Sequence, residues 1–209
     1  ILEGVRVPPR AYHVRRLGET ILGFDHYCWW LSTPIGWRNR KFFLLFLLWS
    51  CALSAFAMGL SVADVHSAVP GVFSGKMRGD PRLQEILEVM PGLSAKFTPL
   101  IFLALELSKM DRAIAFRTYA LFFLASADLA AALILGAFGG WHVYLALRNM
   151  TSLEPPGEAK YDLGVAKNLR QVMGRRVWMW ALPLWLGDGP HGDGLVWPVS
   201  DAHAVPKER

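Results

Sequence analysis

Cysteine and charge are both scarce in this chain. Its 209 residues include only two cysteines, Cys28 and Cys51, with neither a C-x-x-C pair nor a ladder of cysteine and histidine. A disulfide-stapled secreted scaffold and a zinc finger are therefore excluded. Charged residues make up 19% of the chain and apolar or aromatic residues 53%, and the mean hydropathy is positive. This balance is typical of a membrane protein.

The basic residues also lack the arrangement that nucleic acid requires. The net charge is +5, but lysine and arginine are spread along the chain and gather beside apolar runs instead of forming one basic face. We expect the lipid bilayer and anionic cofactors as partners, and no nucleic acid. The chain begins with Ile1 and shows no short leader, so we expect that residues precede it.

Two long runs are almost free of charge. Phe42–Ala63 holds 22 uncharged residues, which as a helix would reach about 33 Å and cross a bilayer. The second run, Thr118–Leu147, has Asp128 as its only charge. Basic residues crowd the start of the first run, so the positive-inside bias puts residues 1–41 in the cytosol and, after two crossings, residues 148–209 as well.

The predicted fold class is therefore mainly α and integral to a membrane, with transmembrane helices at 42–63 and 118–147. Between them, residues 64–117 form a lumenal connection with an amphipathic helix at about 81–90, which begins at Asp80-Pro81. A loop-rich cytosolic segment precedes the first helix. Residues 148–186 form a second cytosolic region with a C-terminal amphipathic helix, and 187–209, rich in Gly, Pro and Asp, predict a flexible tail.

One tetrapeptide before the first span has the residue types of a thiol catalyst. In Asp25-His26-Tyr27-Cys28, Cys28 would be the nucleophile, His26 its general base and Asp25 the group that orients His26. Such help is needed because a thiol with a pKa of about 8.5 is mostly protonated at neutral pH. Short combinations of this kind also occur by chance, so the tetrapeptide alone is compatible with no function.

The surrounding residues make chance improbable. From Arg6 to Phe43 the chain resembles, in order and spacing, the cysteine-rich domain of the DHHC protein S-acyltransferases, including Ile35-Gly36 of that family's IGxRN motif. Residues 149–154 resemble its TTxE motif, and residues 161–183 its C-terminal motif. The resemblance covers most of residues 3–185 except the lumenal connection. Asp-His-Tyr-Cys is similar to the fungal members of the family with a depleted cysteine set.

The resemblance implies a function. The protein would be a palmitoyltransferase that moves a long-chain acyl group from palmitoyl-CoA, through a Cys28 thioester, to cysteines of substrate proteins. It would be a multi-pass protein of the endomembranes (ER or Golgi) or plasma membrane, with a cytosolic active site and the family's last two of four spans. The alternative is a catalytically weak or inactive member that serves as a membrane scaffold or adaptor. Retention of Asp25, His26 and Cys28 favours the enzyme.

The resemblance also implies roles for further residues. Structural support of the active-site loop is expected from the TTxE-like and C-terminal motifs, through Thr151, Ser152, Glu154 and Asn168. Because guanidinium groups suit phosphate oxygens, contact with acyl-CoA is expected from Arg10, Arg38, Arg40 and, beside the nucleophile, Trp30. Lipid headgroups are an alternative partner for each arginine. His142, inside the second span, is expected to be a neutral core histidine rather than a functional group.

The family holds two zinc ions, but the corresponding positions have changed here. One set falls on Val14, Leu17, Tyr27 and Pro34, and the other on a residue before Ile1, Glu3, His13 and Thr20. Only His13 is a cysteine or histidine, the type that these sites use, and a structural zinc needs four good ligands. We therefore predict no metal site and no permanently bound cofactor. Trp29 also stands where the family has proline, which could alter the loop.

Overall fold

The computed structural model describes residues 7–69, 79–89, 98–155, 157, 159–185 and 189–203. The chain divides into two compact units: the first comprises Ile1–Trp49 and Leu135–Arg209, and the second Ser50–Ile134. Among the described residues there are five helices and four short strands. The predicted mainly α fold is confirmed at this level.

Two of the helices are long and apolar. Helix α1 covers Arg40–Ala68 and helix α4 covers Arg112–Leu147, with 29 and 36 residues, or about 43 and 54 Å of helix. Both are long and apolar enough to cross a membrane. They contain the runs predicted as spans, 42–63 and 118–147. The membrane topology stays a prediction.

The segment before α1 contains two β-hairpins. Strand β1, Tyr12–Val14, pairs antiparallel with β2, Glu19–Ile21, and β3, His26–Cys28, pairs antiparallel with β4, Thr33–Ile35. The two hairpins are separate two-stranded sheets. Sequence alone predicted a loop-rich segment here, because strands of three residues are too short to show a period-two pattern.

The core of the first unit lies between three helices. Helix α5, Val165–Met173, turns Val172 and Met173 toward Leu44 and Leu45 of α1 and Ala146 of α4. The other face of α5 is largely exposed. This is the amphipathic helix of the C-terminal region, and its burial brings residues after α4 against the start of α1.

Residues 189–203 have little regular structure but make defined contacts. Trp37 Nε1 donates to the His191 carbonyl at 3.2 Å, and Ser200 N donates to the Lys160 carbonyl at 2.8 Å. A single 3-10 turn covers Asp201–His203. Residues 189–203 therefore pack on the first unit, in contrast to the free tail that the composition predicts.

The second unit has its own small core. Helix α2 covers Pro81–Val89, within the range predicted for the amphipathic helix, about 81–90; Met90 lies outside the described residues. Helix α3 covers Thr98–Leu107. Its core consists of Val69, Leu83, Phe102 and Leu103. Arg82 Nη2 lies 2.8 Å from Asp80 Oδ2 and 3.2 Å from Glu106 Oε1. This ion pair ties the start of α2 to α3.

Gly36, which follows β4, offers a test of the hairpin packing. An added Cβ would lie 2.8 Å from both the Leu22 carbonyl oxygen and Ile21 Cγ2. We expect Gly36→Ala to lower the free energy of unfolding by about 1–3 kcal/mol, since backbone must shift. Thermal unfolding of the purified protein in detergent measures this. Gly140→Ala in α4 is the control, because nothing lies within 4 Å of its added Cβ; equal melting of both variants would contradict the packing.

Candidate active site

The Asp-His-Tyr-Cys motif lies on β3 and the residue before it. Asp25 N donates to the Ile35 carbonyl at 2.8 Å, which extends the ladder that pairs β3 with β4. Side chains two positions apart on a strand lie on the same face. His26 and Cys28 therefore share one face of the hairpin, and Tyr27 lies on the other.

Asp25 and His26 form a hydrogen-bonded pair. His26 Nδ1 lies 2.7 Å from Asp25 Oδ2, and the carboxylate has no exposed surface. Because a carboxylate only accepts, the proton of this bond belongs to Nδ1, which leaves the lone pair on Nε2. His26 Nε2 is buried and has no hydrogen-bond partner among the described residues. A free imidazole nitrogen on the face that carries Cys28 is able to take up a thiol proton.

Ser152 and Arg40 keep Asp25 ionised. Ser152 donates from N to Oδ1 at 2.9 Å and from Oγ to Oδ2 at 3.0 Å. Burial is the largest influence on the pKa of Asp25 and raises it, but the hydrogen bond from His26, the charge of Arg40 and the Ser152 N–H together lower it to about 2. Asp25 is therefore a carboxylate at neutral pH, able to orient His26 and to stabilise its imidazolium form.

Cys28 lies in an apolar environment. It is 6% exposed and clusters with Ile35, Phe43 and Leu47. The ring of Phe43 also contacts His26, with a centroid distance of 5.0 Å and an edge-to-face arrangement. Phe43 on α1 therefore packs against both the thiol and the imidazole, and it closes the site on the helix side.

Glu154 holds the turn that presents Ser152. Thr151 N donates to Glu154 Oε2 at 3.0 Å, which closes the turn after α4. Arg10 Nη2 donates to the same Oε2 at 3.1 Å and to the Asn149 carbonyl at 2.8 Å, and Arg10 Nε lies 2.7 Å from Oε1. These contacts hold the turn of Thr151, Ser152 and Glu154 and bring Ser152 into direct contact with Asp25; the support of the active-site loop by this motif stays a prediction.

Asn168 on α5 forms hydrogen bonds with the end of α4 and with residues that precede α5. Its Nδ2 donates to the Leu147 carbonyl and to Asp162 Oδ1, each at 2.7 Å, and its Oδ1 accepts from Leu163 N at 2.9 Å. The hydrogen bond from Asn168 is the main cause that lowers the pKa of Asp162. Asn168 thus donates to a carbonyl at the end of α4 that has no partner within the helix. This contact is structural.

Two of the predicted CoA-binding residues have another role in the structure. The Arg10 side chain is 3% exposed, and its guanidinium lies between the rings of Tyr161 and Trp197, at 4.6 and 4.3 Å from their centroids. Arg40 is buried and donates to the Met150 carbonyl. Both guanidinium groups are enclosed by protein, so neither is available at the surface for a phosphate.

The other two candidates are at the surface. Trp30, in the loop between β3 and β4, is 95% exposed, and Arg38 is exposed beside a cavity of about 570 Å³ between the hairpins. Their contact with acyl-CoA stays a prediction.

His142 belongs to the site, which the sequence did not predict. It is 4% exposed, its Nδ1 lies 3.8 Å from Asp25 Oδ2, and its ring centroid is 5.3 Å from that of His26. The available signal was an ionisable residue inside a span, two turns before the TTxE-like motif. We interpreted it as a core histidine because no local pattern connects α4 with β3.

The changed zinc positions do not fit a zinc ion. Val14 is buried and apolar, and Tyr27 lies opposite Pro34 in the hairpin. None of these three residues offers the nitrogen or sulfur ligand that a structural zinc ion needs. His13 Nδ1 lies 3.3 Å from Thr20 Oγ1, and Glu3 is outside the described residues. Within the part of the chain that the structure describes, one other group has the residue types of a metal site: Asp25, His26 and His142 offer ligand atoms within 4.8 Å of one another.

Aromatic and arginine side chains occupy the outer face of the second hairpin. The guanidinium of Arg16 lies 4.8 Å from the ring centroid of Trp29 and 5.6 Å from that of Tyr27. The two rings are 5.1 Å apart in an edge-to-face arrangement. Arg16 follows β1, so this cluster links the two hairpins. Tyr27 and Trp29 are two of the residues that depart from the family's pattern.

The family model for DHHC palmitoyltransferases matches residues 3–155. The chain belongs to this family. The DHHC palmitoyltransferase family is integral to membranes, in agreement with the two long apolar helices.

Three relatives show how far the similarity extends. The chain is 26% identical to palmitoyltransferase PFA3 of Yarrowia lipolytica, over 92% of this chain and 47% of that protein. It is 27% identical to human palmitoyltransferase ZDHHC15, over 92% and 47%. It is 30% identical to an Arabidopsis thaliana protein named "Probable protein S-acyltransferase 12", over 87% and 52%. The chain spans about half the length of these DHHC relatives.

The hydroxyl of Ser152 can be tested apart from its backbone. Ser152→Ala removes the bond to Asp25 Oδ2 and keeps the N–H bond to Oδ1. A hydrogen bond to a charged group contributes about 1.5 kcal/mol or more, so we expect the rate of Cys28 acylation to fall about tenfold. Ser152→Thr, the residue of the family's motif, should retain most of that rate. Single-turnover labelling with acyl-CoA measures both; a full rate for Ser152→Ala would contradict the role.

The changed zinc positions lead to a prediction on metal content. Elemental analysis of the purified protein should find well below one zinc per chain, because His13 is the only cysteine or histidine at the positions of this chain that correspond to the family's zinc ligands. Addition of a chelator should leave the melting temperature unchanged, whereas a structural zinc site would lose stability. One or more zinc ions per chain would show that the prediction is wrong.

Proposed function

We propose that this protein is a membrane-integral protein-cysteine S-palmitoyltransferase, with Cys28 as the acyl carrier. The observation that carries the proposal is the hydrogen-bonded pair of buried Asp25 and His26, with His26 on the same strand as Cys28 and Asp25 held by Ser152 of the TTxE-like motif. Family membership supports the transferase class. The acyl donor, the thioester and the protein substrates are part of the proposal.

The first half of the reaction forms the acyl-enzyme. His26 Nε2 takes the proton of Cys28, and the thiolate Sγ attacks the thioester carbonyl of the acyl-CoA. The carbon–sulfur bond to CoA breaks, and the departing CoA thiolate receives the proton from His26. Asp25, an anion at neutral pH, stabilises the imidazolium while it exists. One thioester replaces another, so the step needs no energy source.

The second half returns the enzyme to its starting state. A cysteine of the substrate protein gives its proton to His26 and attacks the carbonyl of the acyl-Cys28 thioester. The bond to Cys28 breaks, and His26 returns the proton to the Cys28 thiolate. The same imidazole serves as base and then as acid in each half, which requires that its Nε2 be free of other partners. His26 Nε2 meets this requirement among the described residues.

A membrane location suits the acyl donor. Burial of about fifteen methylenes is worth on the order of 12 kcal/mol, so the chain of palmitoyl-CoA belongs in the bilayer. We place α1 and α4 across the membrane, with residues 1–41 and 148–209 on the cytosolic side. Cys28 then lies just before the first span, where the apolar environment of Phe43 and Leu47 can receive the thioester end of the chain.

Exposed residues around the site suit the polar part of the donor and the membrane surface. Arg38 is the predicted contact that remains available for a phosphate of CoA. Trp30 presents its ring to the surroundings beside Cys28, and an indole ring of this kind favours the membrane interface. Substrate cysteines close to the membrane would reach the thioester from the same side.

Metabolic labelling with an alkynyl fatty acid tests the function. The wild type should carry a label that hydroxylamine releases, because a thioester is the intermediate, and Cys28→Ser should lose it. Cys51→Ser is the matched control: Cys51 lies in α1 and its thiol points to the Ala132 carbonyl at 3.4 Å, so its loss should leave the label intact. Labelled protein is read by gel fluorescence after click reaction.

Two outcomes would contradict the proposal. Equal labelling of the wild type and Cys28→Ser would exclude Cys28 as the carrier. Absence of label from the folded wild type would favour the scaffold alternative.

A further inference from the structure

A second imidazole lies against the Asp25–His26 pair. His142 projects from α4 and is almost fully buried, with Nδ1 3.8 Å from Asp25 Oδ2. That distance is longer than a hydrogen bond, but it places the imidazole nitrogen directly beside a buried carboxylate oxygen. The other acceptor positions of Asp25 are in use, by His26 and by the two donors of Ser152. His142 approaches the same oxygen that binds His26.

The ring of His142 is fixed from several sides. It packs edge-to-face on Phe43 at 4.9 Å and on Phe138 at 4.7 Å between centroids, and it lies at 43° to the ring of His26. Phe138 also contacts His26, at 6.4 Å. Two phenylalanines therefore hold both imidazoles, and rotation of His26 away from Asp25 would have to displace His142.

We propose that His142 is a positioning residue for the acyl transfer: its Nδ1–H faces the carboxylate of Asp25 and its ring limits the movement of His26. This inference rests on the proposed function. His142 touches neither the thiol nor, in this account, the donor, so it acts through the Asp25–His26 pair. With a donor on each side of Oδ2, the carboxylate stays aligned when His26 takes up and releases a proton.

Three substitutions distinguish the contribution of the His142 Nδ1–H donor from that of the aromatic ring. His142→Asn keeps a donor near the Nδ1 position, His142→Gln moves the donor to the Nε2 position, and His142→Phe keeps an aromatic ring without a donor. We expect the Phe and Gln variants to acylate Cys28 about tenfold more slowly, and the Asn variant to stay within about threefold of the wild type. Tyr144→Phe, on an exposed part of α4, is the control and should leave the rate unchanged.

The rate should change without a change in donor affinity. A positioning residue lowers the first-order rate of acylation at saturating palmitoyl-CoA and leaves the KM for the donor as it was. A full rate for His142→Phe would overturn the inference and leave His142 as a packing residue. A loss in His142→Asn as large as in His142→Phe would overturn it as well, as would a rise in KM alone. If His142→Phe does not fold, the comparison of Asn with Gln decides.

Thiol alkylation distinguishes a failure of this inference from a failure of the proposed function. The rate at which iodoacetamide modifies Cys28, resolved from Cys51 by peptide mass spectrometry, reports the thiolate without any acyl donor. It should fall in His142→Phe and recover in His142→Asn. A wild type that alkylates rapidly but takes up no acyl group would overturn the transferase proposal and leave the positioning role intact. A loss of the wild-type rate on chelation would instead assign His142 to a metal site.

Discussion

The first unit depends on one buried carboxylate. Asp25 accepts hydrogen bonds from His26 on β3 and from Ser152 beyond the end of α4, and it faces the charge of Arg40 at the start of α1. Removal of a charge from water costs several kcal/mol, so such a group is retained only where donors surround it. The hydrogen bonds that offset the burial of Asp25 also hold the carboxylate in place, and the carboxylate in turn orients His26. In the proposed mechanism, folding of this unit and activation of the thiol therefore depend on the same bonds.

Side-chain packing, rather than metal ligation, is found at the hairpin positions where the family resemblance would place zinc ligands. The first unit has two arginine–aromatic clusters: Arg16 with Tyr27 and Trp29 at the hairpins, and Arg10, which precedes β1, with Tyr161 and Trp197. Each cation–π contact contributes about 0.5–2 kcal/mol, far less than a structural zinc site at about 10–16 kcal/mol. Several contacts spread over distant segments are therefore needed. This explains why residues 189–203, which composition alone predicts to be flexible, pack against the hairpins.

The sequence predicts those features of the fold that depend on residues close to one another in the chain. The long helices follow from the length of uncharged runs, and α2 from Asp80-Pro81, because both signals are local. The sequence also singled out Asp25, His26 and Cys28 as neighbours in the chain, whereas the strand that brings His26 and Cys28 onto one face required the structure; their catalytic roles stay a prediction. His142 was not, because its relation to Asp25 arises only when α4 packs on β3. Ser152, 127 residues from Asp25, was assigned to support by motif resemblance, and its direct bond to the carboxylate required the structure.

The arginines show why charge near a membrane is ambiguous in sequence. Arg38 and Arg40 are two residues apart beside the same span, and both suit phosphate, headgroups or an internal anion. On the helix that begins at Arg40 the side chain turns inward to the Asp25 region, whereas Arg38, still outside the helix, faces outward. In the proposed mechanism this division has a chemical consequence. The inward arginine helps to keep Asp25 ionised within an apolar site, and the apolar enclosure of Cys28 excludes water that would otherwise hydrolyse the acyl thioester before a substrate cysteine arrives.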